Sequence, residues 1–469
     1  DMGRGIMDGG RSREGYDCMP GTRLKNAFLV TPEGVLRADM VLRDGRIVLP
    51  DDSAACDQEI DLAGKYVVPG FVDIHFHGFN LFEFTLGMYD PTTKTFDVSE
   101  SAYRQGFDML QRRLCQYGVT GFYVGTWAAP VETLDRCFRY LSDHMARSSG
   151  TIGGARLRGS FLEGSFLNPR LCGAMNSEYV LEHSRESFDR IQSRNTIKLA
   201  NVVPDYGRRS CDVIEYLTAK GIVVGAGHVD ATCVQWADAL KAGLKYAVHF
   251  TNGPTGGSTK VFEGGGSIEA VLSFDEIYAE LILDGYHVNP AYVRDIIRRK
   301  GLDKIIGITD AMYVAGSGMT GEFTLGGVRG EVSKHGEYFA VVGKKNTLFS
   351  ANITMDRVFA NILNWLSRPL PGIWNREHDA LPFEKAVTAA ARICSTNACN
   401  LTGLSREGYG SLTAGAPADL TVLSIGGGQG AYSVAVERTI VGGTTMYCAQ
   451  AAIESTAPGS QDQRAGIKS

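Results

Sequence analysis

Histidine and carboxylate side chains follow the ends of several apolar, strand-like segments of this sequence. The set comprises His75, His77, Glu163, His228, His249, Asp284, His287 and Asp310. Imidazole and carboxylate groups are ligands that suit zinc, iron and similar divalent ions better than calcium. Five of the chain's nine histidines belong to this set, a concentration that random scatter would not produce. The pattern predicts metal-dependent chemistry.

The spacing of the first two histidines indicates how an ion is held. His75 and His77 are two residues apart on an extended segment, so both rings point to the same side of the strand. A carboxylate can bridge two ions, and Glu163 is placed for that role. We therefore predict one or two divalent ions, zinc in the first instance with Fe²⁺ as the alternative. The predicted ligands are His75, His77, Glu163, His228, His249 and Asp310.

Asp310 is the predicted catalytic group. A divalent ion of this kind lowers the pKa of a bound water and polarises a carbonyl group. Asp310 then takes the proton of the water and later gives it to the leaving nitrogen. Taken alone, Asp310 has a structural alternative as a helix N-cap, Glu163 as a cap or an ion-pair partner, and His287 as a surface residue. Their common position at successive strand ends favours the metal site.

The middle of the chain alternates strand-like and helix-like segments, which is typical of a parallel α/β fold. Helical patterns cover residues 100–116 and 209–220. No glycine-rich phosphate fingerprint follows the first strand, and eight repeats favour a (β/α)₈ TIM barrel over an open sheet. The polar residues then fall on the carboxyl-end face, where barrel enzymes have their active sites. The eight predicted strands are residues 71–74, 121–125, 159–162, 199–203, 222–225, 246–248, 278–283 and 305–308.

Short strand-like runs with turn residues between them occur at both ends of the chain. They span residues 27–30, 38–42 and 46–49, and again 410–412, 418–423 and 434–441. We predict that residues 23–68 and 408–448 form one small β-sandwich and that residues 69–407 form the barrel. Residues 1–22 and 449–469 are predicted to be flexible tails.

Composition excludes several classes of protein. The 469-residue chain has 47 basic and 52 acidic residues, hence a net charge of −5, which gives no reason to expect a nucleic-acid partner. No run of eighteen apolar residues predicts a membrane span, and the first residues do not resemble a secretory signal. The ten cysteines are scattered without CxxC pairs, a usage typical of a reducing compartment. We expect a cytoplasmic location.

Several motifs resemble those of known hydrolases. Residues 68–78 (VPGFVDIHFHG) and 407–423 (EGYGSLTAGAPADLTVL) resemble the opening and closing signatures of the amidohydrolase superfamily. Five further segments resemble the N-acetylglucosamine-6-phosphate deacetylase family within it, and the resemblance runs from about residue 23 to 445. These segments are 161–164 (FLEG), 225–232 (GAGHVDAT), 248–253 (VHFTNG), 282–288 (ILDGYHV) and 308–311 (ITDA).

The resemblance implies a barrel with a β-sandwich, often as a homodimer, that hydrolyses an N-acetyl amide to an amine and acetate. By motif, Glu163, His228 and His249 match the main metal ligands, and His75 and His77 match the pair that holds a second ion. Many superfamily members bridge two ions with a carboxylated lysine after strand four, which is absent here, and Glu163 fits as its replacement. The substrate, a small N-acylated molecule, is expected to contact His287, Asn252 and Gly253, and Asp310 matches the catalytic aspartate.

This sequence departs from the deacetylase family around the substrate. The family's Arg-Glu-Pro-Gly segment, whose arginine contacts the sugar phosphate, is replaced by residues 261–266 (VFEGGG), with only Lys260 beside it. A lysine supplies a point charge where arginine supplies a two-pronged donor. Met175 replaces a histidine, and residues 79–84 are more apolar than the family's glycine-rich run. We therefore predict an altered phosphate and sugar pocket.

Three functions remain open from the sequence. The first is N-acetyl amide hydrolysis most like that of the deacetylase family. The second is an amidohydrolase acting on a non-phosphorylated N-acyl amino acid, a cyclic amide or a specialised metabolite. The third is a non-catalytic, metal-binding scaffold, which the retained ligand set and Asp310 disfavour.

Overall fold

The computed structural model describes residues 21–48, 56–148, 150, 153–256 and 264–449. Nearly all of the two predicted tails lies outside these residues, as do Lys260 and the first half of the 261–266 segment. The first strand begins at Thr22, one residue before the predicted start of the β-sandwich.

The described residues form strands and helices that alternate along the middle of the chain. The strands are β1 Thr22–Thr31, β2 Gly34–Arg43, β3 Arg46–Val48, β4 Gln58–Asp61, β5 Tyr66–Pro69, β6 Phe71–Asp73, β7 Gly78–Phe79, β8 Phe82–Glu83, β9 Gly87–Asp90, β10 Thr95–Asp97, β11 Val119–Gly125, β12 Arg156–Phe166, β13 Ile197–Val202, β14 Val223–Ala226, β15 Tyr246–Ala247, β16 Tyr278–Ile282, β17 Ile305–Ile308, β18 Glu322–Leu325, β19 Val328–Val332, β20 Tyr338–Val341, β21 Leu348–Ala351, β22 Leu420–Gly428, β23 Ala431–Val441 and β24 Thr444–Cys448. The α-helices are α1 Glu100–Leu114, α2 Val131–Arg147, α3 Arg185–Asp189, α4 Arg208–Ala219, α5 Cys233–Ala242, α6 Ser267–Ser273, α7 Pro290–Lys300, α8 Met355–Leu366, α9 Phe383–Ala391 and α10 Asn397–Thr402.

Eight parallel strands form the barrel, in the order β6, β11, β12, β13, β14, β15, β16, β17. Each corresponds to one of the eight predicted strands, and the two predicted helices correspond to α1 and α4. The strands read as continuous apolar runs because they are buried on both faces; every residue of β17 is buried. The first and last strands meet where the backbone N–H of Asp310 donates to the carbonyl of His75 at 2.9 Å. The prediction of a (β/α)₈ barrel is confirmed.

The barrel helices are amphipathic and cover the outside of the sheet. In α2, for example, Leu134, Cys137, Phe138 and Leu141 are buried, and this spacing places them on one face of the helix. Within the described part of the chain, no helix combines the length and the apolar character that crossing a membrane requires.

Strands from both ends of the chain join in one sheet, in the order β24, β23, β22, β5, β1, β2, β3, with β4 also paired to β1. A small apolar core of its own, including Leu29, Val67 and Leu420, lies within this β domain. The prediction of a strand at residues 410–412 was wrong. Gly410 has a φ of 77°, which a β-strand does not accommodate, and the chain turns there instead.

Two small antiparallel sheets that the sequence analysis did not predict lie beside the barrel mouth. One consists of β7–β10 and follows the first barrel strand; the other consists of β18–β21 and follows the last. An aromatic cluster joins them: the rings of Tyr89 and Phe96 lie 4.9 and 5.2 Å from that of Tyr313, which packs on Phe323. Through this cluster the second sheet is anchored beside the site described next.

Candidate metal centre and active site

The carboxyl ends of the first, third and eighth barrel strands bring four donor atoms together. The Nε2 atoms of His75 and His77 lie 3.3 Å apart. Oε2 of Glu163 is 3.3 Å from the first nitrogen and 3.2 Å from the second. Oδ1 of Asp310 is 3.4 and 3.3 Å from the same two nitrogens. We call these four residues the first donor group.

The ends of the third, fifth and sixth barrel strands form a second donor group from Glu163, His228 and His249. Oε1 of Glu163 lies 3.4 Å from Nε2 of His228 and 3.1 Å from Nε2 of His249. The two imidazole nitrogens are 3.0 Å apart. Glu163 therefore divides its two oxygens between the two groups.

The distances within the first donor group fit a tetrahedral cation. Ligands bound about 2.0–2.1 Å from a tetrahedral zinc ion lie about 3.3–3.4 Å from one another. The buried Oε2 of Glu163 receives no hydrogen bond from the described residues, although it lies among the ligand atoms of the first donor group. Both groups of histidine and carboxylate ligands thus fit a divalent metal ion. The second group has three ligands, which leaves a coordination position for water or substrate.

At two of the four histidines, a hydrogen bond at the far ring nitrogen leaves Nε2 free to bind a metal. Nδ1 of His228 donates to the carbonyl of Leu171 at 2.6 Å, and Nδ1 of His75 donates to the carboxylate of Glu280 at 3.1 Å. With the proton on Nδ1, the lone pair of Nε2 faces the donor group.

Electrostatics at the centre favour ionised carboxylates. Burial would raise the pKa of Glu163, but the neighbouring imidazoles of His75, His228 and His249 outweigh it and hold the pKa well below its usual value. Burial opposes ionisation of Asp310 as well, and His75 and His77 reverse this effect and lower its pKa.

The pKa of the neighbouring imidazole of His77 shifts in the opposite direction. Burial would lower the pKa of His77, but the carboxylates of Asp310 and Glu163 raise it to about 9. Without an ion, this imidazole carries a proton at neutral pH. Metal binding at the first donor group must therefore release protons, so that loading weakens as the pH falls.

Three of the site residues adopt backbone conformations that are rare outside glycine. His228, His249 and Asp310 have φ values of 56°, 31° and 48°. Such conformations cost on the order of 1–3 kcal/mol each and persist where the surrounding structure enforces them. Here each one turns the chain sharply at a strand end and directs the side chain toward the donor groups.

A cavity of about 190 Å³ opens beside the donor groups. All three predicted substrate contacts, Asn252, Gly253 and His287, line it. Among the residues that the structure describes, the buried Nδ2 of Asn252 has no hydrogen-bond partner, so it is available to a ligand. Nδ1 of His287 donates to Asp284 at 2.6 Å, which leaves its Nε2 as the free ring nitrogen. The remaining wall is largely apolar, with Trp127, Leu171, Met175, Ile282, Leu348 and Phe349 among its residues.

Sequence reasoning missed several residues of this site. Trp127 stacks on His77 with ring centroids 4.3 Å apart, and it comes two residues after the end of the second barrel strand, so the strand-end rule could have identified it. Glu280 interrupts the apolar run of the seventh strand, a signal that was overlooked. Leu348 and Phe349 come from the unpredicted second sheet, and no motif marks them.

Comparison with known proteins agrees with the fold and the motifs, although no family model matches the chain. An N-acetylglucosamine-6-phosphate deacetylase from Lysinibacillus sphaericus is 27% identical over 377 residues, which cover 79% of this chain and 87% of that protein. The deacetylase of the same name from Homo sapiens is 28% identical over 433 residues, covering 89% and 93%. The predicted resemblance to these deacetylases is confirmed.

A solved structure supports the fold independently. The crystal structure of N-acetyl-D-glucosamine-6-phosphate deacetylase from Mycobacterium smegmatis superposes with a TM-score of 0.72 at 23% identity, covering 91% of this chain and all of that one. At this identity the likeness concerns the fold, a barrel with a β domain. A deacetylase cleaves an amide C–N bond with water, so the prediction of an amide-hydrolysing enzyme is confirmed by the sequence relatives.

Proposed function

We propose that this chain removes the acetyl group from an N-acetyl amino sugar, with N-acetylglucosamine 6-phosphate as the reference substrate. The observation that carries the proposal is the pair of donor groups joined by Glu163, with Asp310 at one edge and an open cavity beside them. The deacetylase names of the sequence relatives support the choice of bond and substrate class.

The roles of the residues follow from their positions. His75, His77, Glu163, His228 and His249 would hold one or two divalent ions, zinc first, with Asp310 as a further ligand of the first group. A bound ion supplies a water of lowered pKa and polarises the amide carbonyl. Asp310, whose pKa is lowered, is ionised and accepts the proton of the attacking water. The same carboxyl group then returns the proton to the departing amine nitrogen.

The rest of the cavity would hold the sugar. Nδ2 of Asn252 would donate to an acceptor of the substrate, and Nε2 of His287 would face the substrate from the loop after the seventh strand. Nδ1 of His228 donates to a backbone carbonyl, so only Nε2 of this ring remains to bind, and it faces the donor group and not the sugar.

An apolar wall supports a second candidate, the hydrolysis of a non-phosphorylated N-acyl amino acid, a cyclic amide or a specialised metabolite. Among the described lining residues, no arginine or lysine is present to pair with a phosphate. Lys344 stands at the rim, where its Nζ donates to the carbonyl of Gly173 at 3.3 Å. Met175 and Phe349 would instead pack against an apolar part of the substrate.

A substrate panel combined with metal analysis tests both candidates. We expect purified protein to contain zinc and to release acetate from N-acetylglucosamine 6-phosphate or its unphosphorylated form. A high kcat/KM for the phosphorylated sugar eliminates the second candidate. The first candidate is contradicted if zinc-replete protein cleaves N-acyl amino acids or cyclic amides but releases acetate from neither sugar.

The Lys344→Met variant tests whether Lys344 contacts the phosphate of the substrate. If the phosphate is bound at the rim, this variant loses kcat/KM for the phosphorylated sugar and keeps its activity on the unphosphorylated one. Equal activity of wild type and variant on both sugars contradicts a phosphate contact at Lys344.

The homodimer and the cytoplasmic location remain proposals. The nine cysteines within the described residues are all free thiols, which supports a reducing compartment.

A further inference from the structure

Glu280 is a carboxylate buried inside the barrel wall. It lies in β16 between Ala279 and Leu281, and none of the three is exposed to solvent. Burial of an ionised carboxylate is costly unless hydrogen bonds and opposite charges compensate for it. Within the described part of the chain, no lysine or arginine forms an ion pair with Glu280.

The carboxylate of Glu280 accepts two hydrogen bonds, and the same oxygen accepts both. Oε2 accepts a hydrogen bond from Nδ1 of His75 at 3.1 Å and another from the backbone N–H of His249, also at 3.1 Å. These partners belong to different donor groups, His75 to the first and His249 to the second. A single oxygen atom therefore holds one member of each group.

The two contacts act on the ligands in different ways. The bond from Nδ1 of His75 fixes the ring orientation and its tautomer, and it makes Nε2 a stronger donor to a metal. The bond from the His249 backbone secures a residue whose φ is 31°, at the point where the chain turns the ring toward Oε1 of Glu163.

We propose that Glu280 is a positioning residue that couples the two donor groups, because one of its oxygens holds a ligand of each group. This inference rests on the proposed metal centre. Glu280 itself touches neither ion nor substrate; it acts through His75 and His249.

Zinc titration of the full-length Glu280→Gln variant against a competing chelator tests the inference. Glutamine keeps the shape and one acceptor oxygen and removes the charge. Loss of such a supporting partner typically weakens metal binding about 10–100-fold. We expect the Kd for zinc to rise by about that factor at both donor groups, since Glu280 holds one ligand of each.

Asp295→Asn is the matched control, because it makes the same change at another buried carboxylate. Asp295 accepts hydrogen bonds from the backbone of Ile373 and Trp374 and from His378, none of which is in a donor group. We expect this variant to lose thermal stability and to bind zinc with wild-type stoichiometry and affinity.

The outcomes separate this inference from the proposed function. Wild-type protein that binds no zinc overturns both. Wild type and Glu280→Gln that bind the same number of zinc ions with Kd values within threefold of each other overturn the role of Glu280 alone. The visible spectrum of Co²⁺-substituted protein gives a second readout: we expect Glu280→Gln to alter it, and an unchanged spectrum also overturns the inference.

Discussion

Glu163 divides its two carboxylate oxygens between the donor groups, so single histidine variants report on each group separately. His77 belongs only to the first group and His228 only to the second. The distances within both groups are 3.0–3.4 Å, close enough for one ion each. The metal content of variants therefore reveals whether one or two ions are bound.

His77→Asn and His228→Asn are each expected to retain about one zinc per chain. In the first variant, Glu163, His228 and His249 still form a three-ligand site; in the second, the four donors of the first group remain. Metal analysis after dialysis against a weak chelator measures the content. If wild type holds a single zinc that only His228→Asn removes, the second group alone binds metal.

Asp310→Asn is expected to lower kcat by about 10³-fold, because the amide can neither accept nor return the proton of the reaction. Asparagine keeps an oxygen that can face the metal, so zinc content should stay near that of wild type. Acetate release and metal analysis on the same preparation check the two parts. Full activity in the variant would show that Asp310 is not the base.

At the scale of secondary structure, the backbone conformation near the carboxyl end of each barrel strand determines where a donor points. Gly164 follows Glu163 directly, and its φ of 89° belongs to the left-handed region. A Cβ atom there would lie 2.2 Å from the backbone nitrogen of Ala128. The position thus requires glycine for both its conformation and its space.

Gly164→Ala is expected to lower kcat/KM by about 100-fold or more, since a displacement of about 1 Å at a reacting centre has effects of that size. Gly221→Ala is the matched control. Gly221 also has a positive φ, 77°, but nothing lies within 4 Å of its added Cβ. Equal losses of activity in both variants would mean that backbone strain, and not displacement of Glu163, is responsible.

The barrel was predictable because its strands are buried on both faces and therefore stand out as short apolar runs. The donor residues were predictable because they follow those runs. The two small sheets were not, since β7 and β8 are only two residues long and carry no pattern. The turns at His228, His249 and Asp310 were also beyond sequence reasoning, because tertiary contacts impose positive φ values that are uncommon in residues other than glycine.

At the scale of the molecule, the β domain is joined to the barrel through a nearly buried carboxylate. Asp419 lies just before β22 and accepts hydrogen bonds from Nε of Arg156, in the barrel, at 3.1 Å and from the backbone of Gly442 at 2.7 Å. Arg158 approaches the same carboxylate at 3.8 Å. The aspartate thus connects three segments distant in sequence.

Asp419→Ala is expected to lower the free energy of unfolding by about 3 kcal/mol, because it leaves a partly buried arginine without its partner. Urea unfolding followed by circular dichroism measures the change. Glu322→Ala, which breaks the exposed pair with Arg329, should leave stability unchanged and serves as the control. Equal effects of the two substitutions would contradict a structural role for Asp419.

The closure of the barrel at Asp310 and His75 has a consequence for how the chain is made. Thr309 Oγ1 also donates to Asp73 at 2.5 Å, across 236 residues of sequence. The first donor group takes ligands from both sides of this seam, so it stays incomplete until the eighth strand has left the ribosome. Such distant pairings form late and slowly in folding. An ion bound there would stabilise the closed barrel. Metal supply and folding would then be coupled steps in the maturation of this protein.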